Sequence, residues 1–110
     1  MKKTIYLLLG LFSAGTACAG DALSGMLSVP HFMSTGLVLV STDGQRLGTP
    51  NCALGSPSRF VIDGTSAAGK VQLAGLLSAH SAGKPVRIVG TGTCSLYSDS
   101  ETISYFYIVD

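Results

Sequence analysis

Two cysteines about forty residues apart, Cys52 and Cys94, constrain this chain more than any other feature, because the third, Cys18, lies in a segment that reads as a leader. Met1-Lys2-Lys3 supplies a positive start, Ile5 to Phe12 a short apolar run, and Ala17-Cys18-Ala19 the small residues of a cleavage site. The expectation is a signal peptide over 1–19 and a single mature domain over 20–110, with cleavage after Gly20 as the near alternative. Acylation of Cys18 is disfavoured because Gly15 stands where lipoprotein leaders carry a large aliphatic residue. Export to the periplasm or the medium places Cys52 and Cys94 where thiols oxidise to a disulfide.

The pair matters because the mature chain is small. At roughly 90 residues it buries only about 60 to 65 per cent of its unfolded surface, which leaves little margin of stability. Closing the loop between the cysteines disfavours the unfolded chain by on the order of 4 kcal/mol in the entropy model. Loss of Lys2 and Lys3 with the leader leaves five of the seven basic residues against six acidic ones, a mature charge of about −1. No basic patch for nucleic acid is visible, and no later apolar run approaches the roughly 20 residues of a membrane span.

Along the mature chain the pattern favours strands. Leu23 to Val29 reads as a strand stopped by Pro30, and Gly36 to Thr42 as one apolar on both faces. Asp43-Gly44 is a hairpin turn signal, with Arg46-Leu47-Gly48 as a short returning strand. Arg59 to Asp63 is the next strand. A helix follows over Ser66 to Ala82, with Thr65 as N-cap and Gly83 and Pro85 as its stop. On its wheel Leu73, Leu76 and Leu77 gather on a core side, while Ala67, Val71, Ala74, Gly75 and Ser78 form a smooth face open to close approach. Val86 to Thr91 and Thr102 to Val109 close the chain as strands. This order is that of a mainly β, OB-fold-like five-stranded barrel with one helix between strands 3 and 4; a small α+β sandwich gives the same string.

The chemistry-bearing motifs are sparse. Gly64-Thr65-Ser66-Ala67-Ala68-Gly69-Lys70 fits the phosphate-loop spacing, but Val71 replaces the magnesium-binding hydroxyl. Gly90-Thr91-Gly92 is too short for a dinucleotide fingerprint. His31 and His80 lack a third clustered ligand and a nearby triad, so no metal, cofactor or catalytic residue is assigned and the chain is read as non-enzymatic. The candidate ligand-binding residues are Ser95, Tyr97, Ser98, Asp99 and Glu101, a set of hydroxyls, carboxylates and an aromatic ring beside Cys94 and suited to sugar hydroxyls or a protein partner. Tyr105-Phe106-Tyr107 alternates across the last strand, so at least one ring faces outward.

The stretch from Cys52 to Glu101, with Ala68-Gly69-Lys70, Leu76-Leu77 and Gly83-Lys84-Pro85-Val86-Arg87-Ile88, resembles small exported proteins of Gram-negative bacteria. More faintly, Leu76 to Ile88 resembles the glycan-binding B subunits of subtilase-type and typhoid-type toxins. That resemblance implies an OB fold, a homo-oligomeric ring and glycan recognition. The expected function is an exported binding module for a glycan or a protein; the alternative is a monomeric periplasmic accessory or inhibitor protein.

Overall fold

The computed structural model describes residues 19–110; apart from Ala19, the leader expected over 1–19 and its Cys18 lie outside them. Among the described residues the chain runs β1 (Asp21–Gly25), β2 (Leu27–Phe32), β3 (Leu37–Thr42), β4 (Arg46–Leu47), a 3-10 turn (Asn51–Ala53), β5 (Arg59–Asp63), α1 (Ala67–Ala82), β6 (Val86–Gly90) and β7 (Glu101–Ile108). The fold among the described residues is mainly β with a single α-helix, and the strands form one open sheet in the order β2-β3-β5-β7-β6-β1-β4.

β1 and β2 are separated only by Met26, yet β1 pairs with β6 while β2 pairs with β3 on the far side of the sheet. A sheet whose near-terminal strands are consecutive in the chain has to curl. Every pairing is antiparallel except that of β5 with β7, where Phe60 lies opposite Glu101 and Val61 opposite Thr102. The core fills the curl: Leu27, Val40, Phe60, Ile62 and Ile88 come from strands, and Leu76 from the helix.

The alternation of apolar residues explains most of this, and three local expectations are corrected. Pro30 does not end the second strand, which continues to Phe32. Ser28 pairs with Ser41 and His31 with Leu39, so Val29 and Pro30 form a bulge in which a missing N–H costs no ladder bond. Val29 takes a positive φ of 48° there. Second, Asp43-Gly44 does not return β4 along β3. β4 pairs with β1 instead (Ala22 opposite Arg46), and Asp43 is tied to the β1–β2 junction through Met26 N–H donating to its Oδ1 at 2.7 Å. Third, Thr65 is not the N-cap: Ser66 is, its Oγ accepting from Gly69 N–H at 2.9 Å, while Thr65 donates to Asp63. Gly83 closes the helix in the left-handed region at φ 66°, where a Cβ is disfavoured.

Leu76 is buried as expected, and Leu73 and Leu77 are half-buried. The smooth face points outward at Ala67, Val71, Ala74 and Ser78, whereas Gly75 admits the ring of Phe106. A second bulge, at Ser104, separates the Gly90–Ile103 pairing from that of Val89 with Tyr105. It keeps Ile103 and Phe106 on the core side and leaves Tyr105 and Tyr107 in solvent.

Candidate binding surface around the stapled loop

The loop between β6 and β7, residues 91–100, is short on regular structure and therefore has to be held by other means. At its base Thr91 N–H donates to Thr102 O and Thr102 N–H to Thr93 O, both at 2.9 Å. At its tip Ser100 N–H donates to Tyr97 O at 3.2 Å. The disulfide between Cys52 and Cys94, with Cα atoms 6.1 Å apart, fastens the loop to the 3-10 turn before β5.

Two arginines add polar fastenings. Arg59, the first residue of β5, donates from Nε to Ser100 Oγ at 2.9 Å and from Nη2 to Asp99 Oδ1 at 2.7 Å, and its guanidinium lies 5.7 Å from the centre of the Tyr97 ring. The Asp99 carboxyl is held below the ordinary carboxylate range, first by Arg59 and then by the Ser100 hydroxyl. Arg46 lies over the Phe60 ring at 4.4 Å, donates to the Pro57 carbonyl and pairs with Glu101.

Of the five candidate residues the structure gathers four at the loop surface. Tyr97 and Asp99 meet on Arg59, Ser98 is exposed, and Ser95 is exposed with its Oγ 3.4 Å from Thr102 Oγ1. Glu101 is not with them. Its side chain is fully buried, and its oxygens take bonds from Arg46, Gly20 N–H and Gly92 N–H, the last two at 2.8 Å. The parallel pairing with Phe60 turns it inward, and Gly90 makes room, since a Cβ there would strike its carboxylate. Sequence reasoning missed both arginines and Gly20. The usable signal was scarcity: with 12 per cent charged residues, each charge in a strand or tight loop calls for a partner.

Beside the loop a groove of about 330 Å³ runs between α1 and β7. Its lining mixes apolar residues, among them Ile62, Leu96 and Ile103, with polar ones, among them Asp63, Thr91, Thr102 and Ser104. Its volume falls near the lower end of small-molecule sites, roughly 300–1,000 Å³. Asp63 is held below the ordinary carboxylate range chiefly by the Thr65 hydroxyl, 2.6 Å away. Gln72 spans the rim, donating to Ser104 O at 2.9 Å. Beyond it lies a second hollow of about 350 Å³, lined by Val71, Gly75, Phe106 and the two exposed tyrosines.

The phosphate-loop spacing at Gly64 to Lys70 has a local use: Gly69 N–H is spent on Ser66 Oγ and Lys70 N–H on Ser66 O. His31 is exposed on β2 and His80 is exposed near the end of α1. Among the described residues no cluster of three or more His, Cys, Asp or Glu could hold a metal, and no helix is long and apolar enough to cross a membrane. No family model, curated protein or solved structure matches the chain.

Proposed function

We propose that this chain is an exported, non-enzymatic binding module with an OB-like, partly open barrel, and that it recognises a glycan in the groove beside the stapled loop. The observation that carries the reading is the groove itself: a hollow lined by apolar residues together with residues that bear hydroxyl and carboxyl groups, beside a loop fixed by a disulfide and by Arg59. Sugars offer hydroxyls to such polar residues and C–H faces to such apolar ones, and a pre-fixed loop loses little entropy on binding. The OB-like description draws support from the β1–β2 junction at Met26, from the helix between β5 and β6, and from the parallel β5–β7 contact. A disulfide is compatible with an oxidising compartment.

A glycan array probed with the purified mature protein tests this. The expected result is a defined set of related glycans whose binding is lost in Ala68→Trp, a substitution at an exposed helix position on the groove's rim. Absence of any hit, or full binding by Ala68→Trp, overturns the glycan reading.

A second reading, a homo-oligomer or a protein-binding partner, is favoured by the other hollow, where Val71, Tyr105 and Tyr107 are more than half exposed (75, 55 and 51 per cent). Light scattering at micromolar concentration distinguishes an oligomer from a monomer.

A further inference from the structure

Glu101 is a buried anion that takes two of its three bonds from backbone nitrogens, and one of these is Gly20 N–H at 2.8 Å on Oε2. Gly20 is itself buried, whereas Ala19 immediately before it is exposed. Gly20 is fixed on both sides: its carbonyl accepts from Gly90 N–H at 2.7 Å, and a Cβ on it would strike the Arg46 guanidinium and the Glu101 carboxylate and stand 2.9 Å from Gly48 O. Only glycine fits, and its nitrogen points at a carboxylate oxygen.

We propose that the Ala19–Gly20 peptide bond is the processing site of the precursor, and that the α-ammonium freed at Gly20 is held on Glu101 Oε2 as a buried ion pair. The proposal rests on the reading of the chain as an exported precursor. The step is hydrolysis by a leader-removing peptidase. Water adds across the amide, the C–N bond breaks, Ala19 keeps the oxygen as a carboxylate and the Gly20 nitrogen takes up protons as an ammonium. A charge-assisted bond then replaces a neutral one at the same position. Cleavage one residue later removes the donor and leaves Oε2 with Gly92 alone. Cleavage earlier leaves an amide with no charge to offer.

The test begins with the full chain, leader included, exported from a bacterial cytoplasm and weighed intact. The expected product begins at Gly20 and has lost two hydrogens to the disulfide. Its amine is then challenged with an amine-acylating reagent. Acylation is expected to be about tenfold slower in the folded protein than in denaturant, because the nitrogen reacts only when the chain opens locally. Glu101→Gln removes most of that protection. A second comparison covers the case in which Glu101→Gln does not fold: mature protein made to begin at Ala19 melts several degrees below protein beginning at Gly20. An uncut precursor overturns the export reading together with the proposal. A product beginning at Asp21 or elsewhere overturns the proposal and spares export. A Gly20 amine that reacts as fast folded as unfolded overturns the ion pair.

Discussion

Glu101 and Asp99, two positions apart, illustrate how far a residue's role departs from its type. Both are carboxylates in a polar-looking loop, and both meet an arginine, yet Glu101 is fully buried and Asp99 lies at the surface. Glu101→Ala would leave Arg46, whose side chain is 9 per cent exposed, without its anion, and the loss is expected to be about 3–5 kcal/mol in urea unfolding. Asp99 acts through pH instead. Arg59 lowers its pKa in the folded chain, so its stabilisation is present above the unfolded carboxylate value of about 3.9 and is lost as pH falls through the lower folded value. Asp63, lowered by Thr65, adds to the same window. The urea midpoint is expected to hold above about pH 5 and to fall below about pH 4, more shallowly in Asp99→Asn. Sequence reading put both carboxylates in one candidate binding set, and Asp99 does lie at the loop surface. It misplaced Glu101 because only the long-range pairing with Phe60 decides which way that side chain turns.

At the scale of elements, the parts governed by short-range chemistry were legible. The helix, its glycine stop and the strands at β3, β5, β6 and β7 follow from apolar spacing and punctuation over a few residues. The errors arise where two elements compete for the same residues. Thr65 and Ser66 are both capable N-caps; Asp63 engages Thr65, which leaves Ser66 to receive Gly69 N–H. Ser66→Ala is therefore expected to cost about 1 kcal/mol by thermal unfolding, and Thr65→Ala distinctly less; equal losses would mean that the two hydroxyls share the cap. β4 was expected in the right place but beside the wrong strand, for a related reason. Two residues carry no pattern of their own, and its partner β1 lies more than twenty positions away in sequence, so a turn signal at Asp43-Gly44 suggested the wrong neighbour. The groove was not legible at all, since its walls come from α1, β7 and the stapled loop, which meet only after the sheet has curled.

For the whole molecule, the disulfide binds segments that the sheet alone leaves loosely connected. β5 and β7 meet over only two residue pairs, Phe60 with Glu101 and Val61 with Thr102, whereas β3 and β5 share five. That short parallel contact joins the β2-β3-β5 side of the sheet to the β7-β6-β1-β4 side, and Cys52–Cys94, Arg59–Asp99 and Arg46–Glu101 all lie around it. Cutting the disulfide therefore does two things. It restores the freedom of a long loop to the unfolded chain, worth on the order of 4 kcal/mol, and it releases the loop that borders the groove. The double substitution Cys52→Ser with Cys94→Ser is expected to lower urea stability by about that amount, while hydrogen exchange rises first at the amides of Thr93 to Ser100 and leaves β3 protected until global unfolding. If instead exchange accelerated evenly over all strands, the bridge would be acting on the unfolded chain alone, and the loop would be held by its arginines.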